Sequence, residues 1–310
     1  MKLATFDAGR GPRVGLIAAD KTLVPINDVI PDAPLDMLGV IAGGDGLHAR
    51  LRDLGARARD GAKLSAVKLL APIPRPRRNV FCVGWNYSEH FAEGAAVRAP
   101  ASTPASPAAP GPLSPGQPEL PEFPALFSKN PSTVTGPDAP IWFPAPHSEQ
   151  LDWEVELAVV IGRGGRDIAE NGAMGHVFGY TCANDVSVRD VQRRHGGQWF
   201  KGKNFDSHLP MGPWIVSADE LDPSALRIET RVNGVTKQSS STKFMVFKIP
   251  RLIRECSAGT ELEPGDIIST GTPEGVGFAR KPPEYMKIGD VVEVEIEGIG
   301  VLRNTVQGRP

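Results

Sequence analysis

Cysteine is scarce. The 310-residue chain has three, Cys82, Cys182 and Cys256, and no two are spaced as a CxxC pair. That argues against a disulfide scaffold or a thiolate zinc site and fits a reducing compartment. An excess of charge is also missing. Lys and Arg number 34 against 36 Asp and Glu, a formal net charge of −2, so there is no electrostatic case for a nucleic-acid partner or an anionic membrane. No apolar run reaches the roughly 18 residues of a membrane span. The opening MKLATFDAGR has no apolar signal core, and a cytoplasmic protein is the expectation. Aromatic residues are few, at 6%.

Glycine (34) and proline (30) are plentiful, as many turns between short strands require. Residues 1–75 read as a small α+β N-terminal domain, with a β-meander followed by a helix carrying Leu47, Leu51 and Leu54 near helical spacing. The proline cluster APIPRPRR (71–78) reads as a linker into a larger domain, 76–310. That domain is mainly β with a few short helices, including a hairpin turned at Asn233-Gly234. Residues 95–124 form a Pro/Ala-rich insertion with almost nothing to bury, a candidate lid.

The stretch LDWEVELAVVIG (151–162) reads as one strand, with Asp152, Glu154 and Glu156 on one face and Trp153, Val155 and Leu157 on the other. Asp185 follows at the end of another strand. Converging carboxylates in an apolar setting need a compensating cation. Arg or Lys can supply it, and so can a hard divalent ion, for which all-oxygen ligation favours Mg2+, Mn2+ or Ca2+ over zinc. Arg189 and Gln192 come four and seven residues after Asp185, on one side of an expected helical turn, and Lys203 follows in FKGKNF. Such cationic flanks suit an anionic, oxygen-rich substrate. His90 and Glu93, three apart in NYSEHFAEG, can share a helical face, where a carboxylate orients an imidazole as a general base.

Six segments in order, VGWNYSEHFAE, LFSKNPSTVTGP, LDWEVELAVVIG, GYTCANDVSVRDVQ, FKGKNFDSHLPMGPWIV and LEPGDIISTGTPEGVG, resemble the fumarylacetoacetate hydrolase family. The resemblance implies a rolled, mixed β-sheet core, usually in a homodimer. It implies Glu154, Glu156 and Asp185 as ligands of Mg2+ or Mn2+. His90, Glu93 and Lys203 are implied as catalytic groups, and Arg189, Gln192, Thr272 and the pocket-edge Lys129 as substrate contacts. The expected activity is metal-dependent hydrolysis of a carbon–carbon bond in a 1,3-diketo acid, such as an acylpyruvate, fumarylpyruvate or fumarylacetoacetate. Decarboxylation, hydration or isomerisation of a 2-oxo acid is the alternative within the family. A non-catalytic, metal-stabilised binding protein is the alternative outside it.

Overall fold

The structure is a computed structural model that describes residues 1–59, 61–90 and 121–309. Its architecture is sheet-dominated α+β. Among the described residues the largest sheet has 12 strands. Its centre is the strand Val155–Ile161, flanked by Val177–Asn184 and Ile267–Ser269, both antiparallel to it. Ile267–Ser269 in turn lies parallel to Val80–Gly84, which pairs with Ala125–Lys129. Every residue of Val155–Ile161 is buried, because both faces of the sheet are covered and neither can be left polar without a partner.

The N-terminal meander extends this same sheet. Lys2–Asp7 pairs antiparallel with Leu209–Ser217, with Lys2 opposite Val216, and Pro12–Ile17 pairs on its outer side. Leu3, Val14 and Leu16 share one apolar core with Ala158, Val160, Leu209, Met211 and Ile215. The opposite face packs a second core around Leu157, Val159, Tyr180, Leu252 and Ile296. A separate five-stranded sheet includes the hairpin of Arg227–Val232 and Val235–Ser241. Its turn residues Asn233 and Gly234 both have positive φ, at 52° and 76°, the combination a two-residue hairpin loop demands. Glu93 and most of the 95–124 insertion lie outside the described residues. No helix among the described residues is long and apolar enough to cross a membrane.

Two local expectations are corrected. The stretch 151–162 is not one strand. Leu151–Asp152 pairs with Ser187–Val188, and the chain then breaks at Trp153 and Glu154 before Val155–Ile161 begins. The break follows from competing partners. Asn184 Oδ1 accepts from Glu154 N at 3.0 Å, and Gln238 Oε1 accepts from Val155 N at 3.1 Å, so side chains replace the ladder there. Nor does Asp185 share a helix with Arg189 and Gln192. It lies between two strands, and the helix is only Arg189–Arg194.

Candidate metal and organic-acid site

Glu154, Glu156 and Asp185 converge. One carboxylate oxygen from each lies within 4.8 Å of the others, and all three side chains are buried. Sheet pairing brings them together. Val155 is opposite Asn184 across the ladder, so the residues flanking that pair, Glu154 and Asp185, meet at the strand ends. Glu156 sits one step further in.

Three buried cations interleave with the acids. Lys203 Nζ donates to Glu154 Oε2 at 2.8 Å and to Asp185 Oδ2 at 2.7 Å. Lys129 Nζ donates to Asp185 Oδ1 at 2.6 Å and to the Val186 carbonyl at 3.0 Å. Arg189 Nη2 lies 2.7 Å from Glu154 Oε1. Lys129, expected at the pocket edge, is fully buried against Asp185. Among the described residues, Glu156 has no such ion pair. Its Oε2 accepts from Ser269 Oγ at 2.5 Å and Gly271 N at 3.1 Å.

The electrostatics follow this uneven pairing. Burial acts to raise Glu154, but Lys203 and Arg189 prevail and hold it well below the usual carboxylate range. Glu156 is pushed up to about 8, first by burial and then by the charges of Asp185 and Glu154. Lys203 is raised because its two carboxylates outweigh burial, whereas burial wins at Lys129 and lowers it. The cluster is therefore short of positive charge beside Glu156. Three converging carboxylate oxygens with that deficit fit a hard divalent ion.

The rim holds the remaining expected residues. His90 is buried, the last described residue of a helical turn (88–90), with its ring edge-on to Phe278 at 6.5 Å between centroids. Gln192 Oε1 accepts from Arg189 Nη1 at 3.1 Å. Thr272 is buried, and its Oγ1 accepts from Gln238 Nε2 at 2.8 Å. The Thr272 loop comes close because Gly271, at φ +97°, has no side chain; a Cβ there would meet Asn86 Cβ at 2.8 Å. Gln238, Ser269, Phe278 and Phe127, whose ring centroid lies 5.0 Å from Lys203 Nζ, were not foreseen. Ser269 stands directly before the TGTPEG segment and was open to notice. Gln238 lies in a polar strand far along the chain and carried no signal. A cavity of about 380 Å³ lined by Asp167, Ile168, Glu170 and Arg254 shares none of these residues.

Residues 79–307 match the family model described as fumarylacetoacetate (FAA) hydrolase C-terminal. The chain belongs to the fumarylacetoacetate hydrolase family. It is 39% identical to the oxaloacetate tautomerase YisK of Bacillus subtilis, over 99% of this chain and 100% of that protein. It is 42% identical to the mitochondrial oxaloacetate tautomerase FAHD2A of Bos taurus, over 99% and 91%. Among solved structures, a fumarylacetoacetate hydrolase from Exiguobacterium antarcticum superposes with a TM-score of 0.80 at 39% identity, over the whole of both chains. A maleylpyruvate hydrolase from Sphingobium sp. SYK-6, solved with manganese (II) ion and pyruvate, gives 0.76 at 30%, also over the whole of both chains. The fold expectation holds, and the chain is an enzyme of this family. The expected carbon–carbon hydrolase activity is corrected. The relatives matched over 99% of this chain at 39 and 42% are named tautomerases, which favours the alternative within the family over hydrolysis.

Proposed function

We propose that the protein is an oxaloacetate tautomerase that uses Mg2+ or Mn2+. It would interconvert the keto and enol forms of a four-carbon 2-oxo dicarboxylate. The observation that carries this is the end-to-end similarity to two proteins named for that activity, in a chain whose three acids and three cations converge. No carbon–carbon bond breaks. One proton leaves C3 and one arrives at the C2 oxygen.

Glu154, Glu156 and Asp185 are the proposed ligands. When bound, a divalent cation supplies Lewis-acid stabilisation of negative charge on a 2-oxo oxygen. Lys203 and Arg189 offer cationic donors to the carboxylates and to developing negative charge. Thr272 already accepts from Gln238, which leaves its hydroxyl proton to donate to a substrate oxygen. His90 is assigned to carry the C3 proton, with Glu93, outside the described residues, assigned to orient it, and Lys129 to hold Asp185 in place. The substrate is a small organic acid, and a homodimer is the expected assembly, testable by light scattering.

The test begins with freshly dissolved enol-oxaloacetate and follows loss of its ultraviolet absorbance with protein and Mg2+. Decay faster than in Mg2+ buffer, abolished by chelator, is expected. A decay equal to that of buffer at every protein concentration would reject the assignment.

A further inference from the structure

Three acids alternate at 152, 154 and 156, and the converged cluster uses only two of them. The third, Asp152, is fully buried and accepts four bonds. Its Oδ1 accepts from Trp153 N at 2.8 Å and Gly277 N at 2.7 Å. Its Oδ2 accepts from Phe278 N at 3.0 Å and Arg189 Nε at 2.7 Å. One carboxylate oxygen thus holds both the guanidinium Nε and the Phe278 amide, and the other holds the Gly277 amide of the same turn after TGTPEG.

That turn carries Phe278, whose ring covers the guanidinium of Arg189 with its centroid 4.4 Å from Cζ and stands edge-on to His90. Gly277 makes the grip possible, because a Cβ there would sit 2.7 Å from Asp152 Oδ1. With Nε held, the Arg189 Nη nitrogens face Glu154 and Gln192, on the side of the acid cluster. A substrate carboxylate arriving there can take Nη2 from Glu154 without freeing the guanidinium plane.

We infer that Asp152 is a positioning residue, which locks Arg189 and the Phe278 turn into one unit that presents Arg189 to a substrate carboxylate. The inference rests on the proposed role of Arg189 as the anion contact. Asp152→Asn is the sharp probe. An amide has one acceptor and one donor group, so its NH2 must oppose either the Arg189 Nε–H and Phe278 N–H that meet at Oδ2 or the Trp153 and Gly277 amides that meet at Oδ1, and one pair of bonds is lost.

The experiment is a double-mutant cycle on oxalate binding, measured by calorimetry on Mg2+-loaded full-length protein. Oxalate is a planar dianion shaped like the 2-oxo carboxylate end of the substrate. The cycle comprises wild type, Asp152→Asn, Arg189→Gln and the double variant. Asp152→Asn should weaken oxalate roughly tenfold in the wild-type background and by less than about twofold when Arg189 is already Gln, the non-additivity of groups acting through one another. In oxaloacetate kinetics the single variant should raise KM more than it lowers kcat. Unchanged oxalate affinity in Asp152→Asn, or equal losses in both backgrounds, would overturn the inference. If Asp152→Asn does not fold, Phe278→Leu replaces it in the same cycle. It keeps the carboxylate and removes the ring, and its loss must likewise vanish in Arg189→Gln; an undiminished loss there counts against the unit. A wild type that binds oxalate but leaves oxaloacetate unconverted removes the tautomerase assignment and leaves the cycle readable. A wild type that binds no oxalate removes Arg189 as anion contact and the positioning role with it.

Discussion

Individual residues carry most of the chemistry, and Glu156 is the most telling of them. In metal-free protein its carboxyl keeps its proton up to about pH 8, whereas its ordinary value is near 4.5. Between those values the folded chain binds the extra proton, so stability falls as pH rises from 4.5 towards 8. The slope from this one group is at most about 1.4 kcal/mol per pH unit. Glu156→Gln removes it. In chelator, the variant should lose less stability than wild type between pH 5 and 8, as read by denaturant titration. Added Mn2+ should raise the melting temperature of wild type and leave the variant unchanged. A variant with the wild-type slope and the wild-type response to Mn2+ would remove Glu156 from the site. That converging buried acids need a cation was legible in the sequence, and the family resemblance picked out Glu154, Glu156 and Asp185 among them. The division of labour in the row of acids was not. Asp152 and Glu154 look alike in sequence, and only the partners facing them, two loop amides for one and Lys203 for the other, tell them apart.

Elements set the distances between those residues. The helix Phe200–Lys203 brings Lys203 to the acids by lying directly on Arg189–Arg194. Gly202 is the point of contact, where a Cβ would fall 2.6 Å from Gln192 Cβ and closer still to its backbone. Gly202→Ala should push the two helices apart and draw Lys203 Nζ away from Glu154 and Asp185. We expect a stability loss of roughly 1–3 kcal/mol, the usual cost of overpacking, and at least a tenfold loss of oxaloacetate turnover, since small misplacements are costly in a preorganised site. Thermal denaturation and steady-state kinetics on the variant check both, and wild-type turnover would show that this contact does not position Lys203. Element type was readable from sequence in the β-branched runs and in the Asn233-Gly234 turn. Element boundaries were not. The break at Trp153–Glu154 depends on Asn184 and Gln238, both distant in sequence, and no local pattern announces a side chain that will take over a ladder bond.

At the scale of the molecule, the N-terminal residues and the site share a sheet. Lys2–Asp7 covers the edge of Leu209–Ser217, and Leu3 and Leu16 complete the core beneath Ala158 and Val160. We propose that 1–75 acts as a buttress for the catalytic domain. A 76–310 fragment should aggregate or melt at least about 10 °C below the full chain, because an open apolar edge and core are exposed. A fragment with full-length melting temperature and activity would make 1–75 an independent appendage. The meander, the helix and the proline cluster after them made 1–75 read as a unit of its own, but pairing between strands some 200 residues apart leaves no trace in local sequence.

On the proposed function, this site moves a proton at C3 of oxaloacetate and leaves the carbon skeleton whole. Proton NMR of oxaloacetate in D2O, with protein and Mg2+, tests it directly. Deuterium should enter C3 faster than in Mg2+ buffer with all four carbons retained, and His90→Ala should slow that entry roughly 100-fold, the usual scale for a positioned acid–base group. Exchange no faster than in buffer, or pyruvate accumulating in step with the protein added, would contradict it.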